Sequence, residues 1–223
     1  MPATITAIAH YYPDDILTNQ YFESYLDTSD EWIKTRTGIS ERRILKEGAT
    51  SDLIVPAALK CIANAGIDKD EIDCIVVATV TPDYMYPSTA TLVQHKLGIK
   101  NVWGFDLSAA CSGFLFALKT AASLVESGAA KKVLLCGADK MTSIVNHQDR
   151  NTAILFGDAA GVCILEKSND DNYGIMDSIL NVDGIGAPYL YQKAGGSAFP
   201  ATHETVDNND HTVYQDGKTV FKY

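Results

Sequence analysis

Short apolar runs alternate with helix-length amphipathic segments along most of this chain, and that alternation is the strongest constraint on its fold. Four runs are rich in Val, Ile and Leu and have the length of buried strands. They cover residues 72–80, 101–107, 131–139 and 159–167. Strands that alternate with helices in this way predict an α/β fold with a mainly parallel sheet covered by helices.

Two candidate helices accompany these runs. The stretch "SDLIVPAALKCIANAG", residues 51–66, begins with Ser51 or Asp52 as a capping residue and stops at a glycine. The stretch "SGFLFALKTAASLVESG", residues 112–128, ends at Gly128. Its expected buried stripe consists of Phe114, Leu118, Ala121 and Val125.

Composition argues against several classes of function. A formal net charge of −10 disfavours a general affinity for nucleic acid or anionic lipid, because both need an excess of Lys and Arg. No stretch of about 18 apolar residues is present, and the N-terminal segment lacks the basic flank and apolar core of a secretory signal. The chain has 223 residues, of which 46% are hydrophobic, so it can bury a substantial core. We therefore expect a cytoplasmic protein with no membrane or nucleic-acid partner.

The five cysteines are widely spaced, without a CxxC pair or a histidine at zinc-ligand spacing. This pattern predicts neither a disulfide framework nor a metal site. Cys61 lies within a helical stripe, and Cys74, Cys136 and Cys163 lie within the strand runs. We expect these four to be structural.

Cys111 is placed differently, in "DLSAACSGFLFAL", residues 106–118, where an apolar run gives way to a helical pattern. Its neighbours are small, so nothing crowds the sulfur. In α/β sheets reactive groups gather where strands end and helices begin, and the free N–H groups of a helix N-terminus favour a thiolate. The alternative is that Cys111 is a small buried filler, as most free cysteines are. The residues alone leave both interpretations open.

The pattern changes after Leu180. Residues 183–218 are rich in Gly, Pro, Asn and Asp and predict a long irregular excursion, of the kind that forms binding loops or lids. The following "KTVFKY", residues 218–223, is expected to begin another ordered element.

Four motifs carry a resemblance to a known family: the Cys111 motif, "DTSDEWIKTRTGISERR" (27–43), "PSTATLVQHKLGI" (87–99) and "DRNTAILFGDAAG" (149–161). In this order they resemble the β-ketoacyl-acyl carrier protein synthase III family, condensing enzymes of the thiolase superfamily that initiate bacterial fatty-acid synthesis. The resemblance implies a five-layered α-β-α-β-α fold made of two similar halves. It assigns residues 1–170 to the first half, and residues 171–223 to irregular binding loops and the start of the second.

The resemblance also implies roles for individual residues. Cys111 matches the cysteine that takes an acyl group from an acyl-CoA primer and passes it to the carbanion formed from malonyl-acyl carrier protein. Acyl-CoA is then a substrate, and no cofactor is implied. Trp32 and Arg150 match the pair that sandwiches the adenine of CoA, and Thr28 and Arg36 match residues that line the same site. Taken alone, Trp32 could instead anchor a helix, and the arginines could be solvated surface residues.

Three further positions match the family. Tyr86 matches an aromatic residue, Phe in many relatives, that closes the acyl pocket of the partner subunit in a homodimer. A tyrosine adds a hydroxyl that needs a partner if buried, which bears on pocket depth and primer preference. Phe221 matches a residue near the pantetheine tunnel, and Lys222 one on the surface that docks the carrier protein.

Two motifs of the family are absent from this sequence, "HQAN" and "GN", whose histidine and asparagine stabilise the enolate during decarboxylation. The histidines that are present lie in unrelated contexts and are expected to be structural or surface residues: His10, His95, His147, His203 and His211. We therefore expect this chain to be part of a longer enzyme and to lack condensation by itself. Two other hypotheses stay open: a related enzyme that primes a secondary metabolite, and a noncatalytic acyl-CoA-binding or dimerisation module.

Overall fold

The structure is a computed structural model that describes residues 1–222. Its chain divides into two compact units that are interleaved in sequence. The first unit comprises residues 1–14, 45–140 and 158–180, and the second comprises residues 15–44, 141–157 and 181–223. The proposed boundary between residues 170 and 171 concerns the two halves of a complete enzyme and stays a prediction.

The strands and helices have the following bounds. The strands are β1 Ala3–Tyr11, β2 Ile16–Thr18, β3 Glu41–Arg43, β4 Cys74–Ala78, β5 Trp103–Leu107, β6 Lys132–Lys140, β7 Asp158–Lys167, β8 Leu190–Gln192 and β9 Val213–Gln215. The α-helices are α1 Asn19–Glu23, α2 Asp30–Thr37, α3 Thr50–Ala65, α4 Thr89–Leu97, α5 Gly113–Ser127, α6 Arg150–Ala153, α7 His203–Asp207 and α8 Gly217–Lys222. Short 3₁₀ turns cover Lys69–Glu71, Ala110–Ser112, Met141–Ser143 and Gly184–Tyr189.

The first unit is built on a five-stranded sheet with the order β1-β7-β6-β4-β5. All four predicted strands are present in it, and the α/β class is confirmed. The prediction of a mainly parallel sheet is wrong. β4 runs parallel to β5 and β6, but β7 runs antiparallel to both β6 and β1. The parallel pairs need crossover helices, whereas the chain between β6 and β7 makes an excursion into the second unit and returns in the opposite direction.

The N-terminal strand β1 was not predicted from the sequence. Its buried positions include Ala3 and Ala7, whose small side chains give little hydrophobic signal. Ile5 and Ile8 of the same strand are exposed. The strand is therefore defined by its pairing with β7 rather than by a local apolar pattern.

Alternate residues of the central strands face two separate apolar clusters, as the period of a strand requires. One face of the sheet packs against α3 and α4, with Ile75, Val77 and Leu134 among the strand residues. The other face packs against α5 and contains Val76 and Leu135. The sheet is thus covered by helices on both faces.

The two predicted helices form, with two local corrections. α3 begins earlier than expected, because the Asp52 carboxylate accepts a hydrogen bond from the backbone N–H of Ala49 at 2.9 Å instead of capping at its own position. In α5 the buried face contains Ala117, Ala121 and Val125, whereas Phe114 keeps 37% of its surface exposed. Alanines on this face let the helix approach the sheet closely.

The second unit has a small core of its own. Phe22, Ile33 and Ile154 lie at its centre, with α1, α2 and α6 contributing side chains. The segment expected to be irregular, residues 183–218, carries only short elements: the 3₁₀ turn Gly184–Tyr189, β8, α7, β9 and the start of α8. The ordered element expected to begin at residue 218 is confirmed as α8. Tyr223 lies outside the described residues. Among residues 1–222, no helix is both long and apolar enough to cross a bilayer.

Two glycines of the sheet allow a matched test of packing in the chain of residues 1–223. A Cβ added to Gly104 of β5 would lie 2.5 Å from the carbonyl oxygen of Ile75, whereas a Cβ added to Gly161 of β7 would meet no atom within 4 Å. We expect Gly104→Ala to lower the free energy of unfolding by about 1–3 kcal/mol, because β5 must move away from β4. Gly161→Ala should change it little. Denaturant unfolding measures both, and equal effects would contradict the packing of β5 on β4.

Candidate active site

Cys111 lies in a 3₁₀ turn between the end of β5 and the start of α5. Ala110, just before it, has a φ of +46°, in the left-handed region that favours glycine. A strained backbone of this kind is often found at functional sites, where surrounding structure imposes it. Cys111 is exposed. The interpretation of Cys111 as a buried filler is therefore wrong.

The other four cysteines provide a comparison within the same chain. All four are buried, as expected. Burial raises the pKa of Cys61 to about 11 and the pKa values of Cys74 and Cys163 to about 12. The pKa of Cys136 is also raised well above its usual value by burial. Burial therefore favours the protonated form of these four thiols, whereas the thiolate is the reactive form.

A carboxylate at the end of β5 ties the Cys111 turn to a neighbouring loop. Asp106 accepts hydrogen bonds from the backbone N–H groups of Thr89, at 2.6 Å, and of Ala90, at 2.9 Å, at the start of α4. The backbone N–H of Thr79 donates to the carbonyl oxygen of Leu107 at 3.2 Å. Both ends of the loop 79–88 are therefore attached to the strand end from which the Cys111 turn leaves.

The same loop is held from two further directions. Oδ1 of Asp139, at the end of β6, accepts from the backbone N–H of Val80 at 2.8 Å and from the hydroxyl of Thr79 at 3.0 Å. Ser51, in the first turn of α3, donates its backbone N–H at 2.8 Å and its hydroxyl at 2.5 Å to the carboxylate of Asp83. These contacts fix the part of the loop that precedes its tip.

The tip of this loop is the tripeptide Tyr84, Met85 and Tyr86, and all three side chains are exposed. Tyr86, the predicted pocket residue, keeps 87% of its surface exposed. A contiguous group of exposed large side chains on an ordered loop is typical of an interaction surface. Sequence reasoning identified Tyr86 but missed Asp106 and Asp139. The isolated acid in the apolar run "WGFDL" was the available signal for Asp106.

In the second unit the predicted adenine-binding residues come together around one indole ring. Trp32 is half-buried on α2, which Ser29 caps by accepting from the Trp32 backbone N–H at 3.1 Å. The guanidinium carbon of Arg36, one turn further along α2, lies 4.8 Å from the centroid of the Trp32 ring. That of Arg150, the first residue of α6, lies 5.0 Å from it. Arg150 also donates to the carbonyl oxygen of Asp27 at 2.8 Å.

Thr28, the remaining residue predicted for this site, has a hydroxyl that lacks a partner. Its Oγ1 atom is buried, and nothing among residues 1–222 forms a hydrogen bond with it. A buried polar atom without a partner is costly and calls for an explanation, such as a ligand. Its neighbour Asp27 contacts Arg150. Thr28 thus directly follows a residue that contacts Arg150. Trp32, Arg36 and Arg150 are called the Trp32 cluster below.

The other predicted residues are not drawn into this cluster. Phe221 lies on α8 with 92% of its surface exposed, so its ring is not packed against Trp32, and Lys222 is exposed beside it. Their assigned roles stay predictions. Of the five histidines, four are exposed at the surface and His211 is bonded to Thr205 at 2.8 Å, as a structural or surface interpretation requires. No cluster of metal-ligating side chains occurs within residues 1–222.

Comparison with known proteins agrees with this arrangement. The family model for 3-oxoacyl-[acyl-carrier-protein (ACP)] synthase III matches residues 105–184. A β-ketoacyl-[acyl-carrier-protein] synthase III of Koribacter versatilis is 55% identical over 223 residues, which cover 99% of this chain and 67% of that protein. A synthase III structure from Thermus thermophilus superposes with a TM-score of 0.88 at 39% identity, covering 98% of this chain and 67% of that one. The priming β-ketosynthase of the R1128 polyketide pathway superposes with a TM-score of 0.84 at 32% identity, covering 99% of this chain and 65% of that one.

The fold and these similarities define the class of the protein as a thiolase-like condensing enzyme. The chain spans about two thirds of the length of the relatives it matches. It belongs to the β-ketoacyl-[acyl-carrier-protein] synthase III family, acyltransferases of fatty-acid synthesis.

The contrast among the cysteines predicts selective modification. At about pH 8, limiting iodoacetamide should modify Cys111 well before the other four, because burial both shields those thiols and raises their pKa values. Peptide mass mapping of the labelled native protein measures the order. A denatured sample, in which all five thiols should react, is the control. Comparable labelling of a buried cysteine in the native protein would contradict the assignment.

Proposed function

We propose that the complete protein is a cytoplasmic homodimer that condenses an acyl-CoA primer with malonyl-acyl carrier protein through a thioester on Cys111. The sulfur of Cys111 attacks the carbonyl carbon of the acyl thioester, the carbon–sulfur bond to CoA breaks, and CoA leaves as a thiol after taking up a proton. Malonyl-acyl carrier protein then loses carbon dioxide, and its carbanion attacks the acyl carbon and expels the Cys111 thiolate. The observation that carries this proposal is the exposure of one cysteine at the strained turn before α5, while four others are buried.

The placement of Cys111 suits the first of these steps. The first N–H groups of a helix have no intrahelical partners and carry a partial positive charge. A thioester intermediate is also suitable for carbon–carbon bond formation, because its carbonyl carbon stays electrophilic. A thiol at this position therefore does not need a general base of the kind that a hydroxyl nucleophile requires.

The Trp32 cluster in the second unit supports binding of the CoA nucleotide. An indole face and a guanidinium plane both stack on a purine, and arginine also pairs with phosphate. The Arg150 guanidinium is 5.0 Å from the ring centroid, whereas two stacked layers with a purine between them need about 7 Å. Adenine would enter by moving Arg150 outward by about 2 Å. The unpartnered hydroxyl of Thr28 and the guanidinium of Arg36 supply polar contacts for the same ligand.

Tyr86 and the α8 residues complete the proposal. The ordered loop 79–88 presents Tyr86 outward, which suits a side chain that closes the acyl pocket of a neighbouring subunit. Its hydroxyl distinguishes it from a phenylalanine and so bears on the preferred primer. The family resemblance assigns Phe221 to the pantetheine tunnel and Lys222 to carrier-protein docking, and the exposure of both side chains is compatible with contact to a substrate or protein.

A second candidate function is priming of a polyketide or another secondary metabolite by the same chemistry. The similarity to a structure described as a polyketide priming ketosynthase favours it. A third is a noncatalytic acyl-CoA-binding or dimerisation module, which the absence of the "HQAN" and "GN" motifs favours for the 223-residue chain. The acceptor that the enzyme uses separates the first two candidates. The ability to condense separates both of them from the third.

The function is tested by separating acyl transfer from condensation. The full-length enzyme, incubated with acetyl-CoA and malonyl-acyl carrier protein, should form a β-ketoacyl product, and Cys111→Ala should abolish it. The chain of residues 1–223 should give at most slow self-acylation and no condensation, because loss of even one oxyanion donor typically slows such a step about a hundredfold to a thousandfold. Mass spectrometry of enzyme and carrier protein measures both steps. Normal condensation by Cys111→Ala would refute the proposed mechanism.

Nucleotide binding is tested on the Trp32 cluster. Trp32→Ala and Arg150→Ala should each weaken acyl-CoA binding by about 1–3 kcal/mol, the range for aromatic stacking on a base, and leave the iodoacetamide reactivity of Cys111 unchanged. Calorimetry measures the affinity, and Tyr12→Ala, which changes an exposed aromatic residue in the other unit, is the control. Unchanged affinity in both variants would refute the adenine assignment.

A further inference from the structure

Arg42 lies in β3 and is buried against uncharged groups, with 4% of its surface exposed. Its guanidinium carbon lies 4.8 Å from the centroid of the Phe22 ring. Burial lowers the pKa of this guanidinium, which reflects the cost of keeping a cation away from water. Such a cost persists only where the donors of the cation are well used. The partners of Arg42 therefore indicate what it does.

One set of contacts reaches the helix that carries Arg150. Nε of Arg42 donates to the carbonyl oxygen of Ile154 at 2.7 Å, and Nη2 donates to the same oxygen. Ile154 directly follows α6, whose first residue is Arg150. Two charge-assisted bonds to one carbonyl thus hold the end of this one-turn helix.

The other contact reaches the helix that carries Trp32. Nη1 of Arg42 donates to Oδ1 of Asn19, which is itself completely buried. The amide nitrogen of Asn19 donates to the carboxylate of Asp30 at 2.8 Å and to the carbonyl oxygen of Ile39 at 2.9 Å. Asp30 is the first residue of α2, and Ile39 lies just beyond its end. Through Asn19, Arg42 therefore holds both ends of α2.

The backbone on the α6 side has little freedom to compensate for a loss of these bonds. A Cβ added to Gly157 would lie 2.8 Å from the carbonyl oxygen of Arg43 and 3.3 Å from Cβ of Arg42. The chain after α6 therefore runs against β3 at a distance that only glycine permits. The Arg42 side chain thus bonds to both helices from β3, directly at the end of α6 and through Asn19 at the two ends of α2.

We propose that Arg42 is a positioning residue for nucleotide recognition, which fixes α2 and α6 so that Trp32 and Arg150 grip a purine from its two faces. This inference rests on the proposed binding of CoA at the Trp32 cluster. The hydrogen bonds of Arg42 go to Ile154 and Asn19, so it acts on the nucleotide through other residues. Its influence is confined to the nucleotide end of acyl-CoA, and this distinguishes it from a residue that only stabilises the fold.

The test compares two primers in the full-length enzyme, acetyl-CoA and acetyl-pantetheine, which lacks the nucleotide. Arg42→Met keeps the length of the side chain and removes its charge and donors. We expect it to raise KM for acetyl-CoA by about tenfold with kcat nearly unchanged, and to leave kcat/KM for acetyl-pantetheine within about twofold of the unmodified enzyme. Arg42→Lys, which cannot reach both oxygens with a planar fork, should recover part of the loss.

Two further variants keep the test decisive. Arg43→Met makes the same chemical change one residue along β3, on a side chain that pairs with Glu41 at 3.6 Å, and should leave the preference between the two primers unchanged. Asn19→Asp keeps the acceptor for Arg42 but removes the amide that bonds Asp30 and Ile39, so it should shift the preference in the same direction as Arg42→Met. If Arg42→Met does not fold, Arg42→Lys and Asn19→Asp decide the question.

The outcomes separate this inference from the function on which it rests. If Trp32→Ala selectively weakens the use of acetyl-CoA, nucleotide binding at the Trp32 cluster stands. In that case, equal losses for both primers in the Arg42 and Asn19 variants, or no loss with either primer, would overturn the positioning role. A Trp32→Ala variant that loses nothing, or loses equally on both primers, would overturn nucleotide binding at the Trp32 cluster itself.

Discussion

Burial of β4 and β6 on both faces is the constraint on which the rest of the first unit depends. Their alternate side chains belong to two different apolar clusters, one under α3 and α4 and the other under α5. Strands of this kind are stable only inside a helix-covered sheet, so the helices must return to it after each parallel strand. The turn that carries Cys111 is one of these returns. The position of the Cys111 sulfur therefore depends on the packing of the sheet and not on local sequence preferences alone.

Partly buried carboxylates fix the arrangement of the loops around this sheet. Asp106 and Asp139 lie at the ends of two strands and accept backbone N–H groups of the loop 79–88 or of the helix that follows it. Backbone groups in such loops would otherwise lack partners away from water. The loop that exposes Tyr86 is thus held by hydrogen bonds on both sides of its tip. A rigid loop loses little conformational entropy when it meets a partner, which favours its use as an interaction surface.

In the second unit, the buried guanidinium of Arg42 holds neighbouring segments together in a similar way. Polar contacts of Arg42 and Asn19 join α2 and α6, which are too short to be stable as isolated helices. Arg36 and Arg150 then reach the same indole ring, although they come from distant parts of the sequence. The cluster proposed to bind a purine is in this way assembled from short helices, whose small apolar core is supplemented by these polar contacts.

The sequence by itself determined the α/β class, four strands of the sheet, the two long helices and the distinct position of Cys111. These features depend on local periodicity and on neighbouring small residues, which are visible in a short window. The antiparallel direction of β7, the presence of β1 and the early start of α3 were decided by the tertiary structure, because they depend on pairing and on hydrogen bonds between segments that are remote in the chain. The same reason explains the site: Trp32, Arg36 and Arg150 were named from motifs, but their shared ring, the unpartnered Thr28 hydroxyl and the contacts of Arg42 exist only once β3, α2 and α6 are packed together.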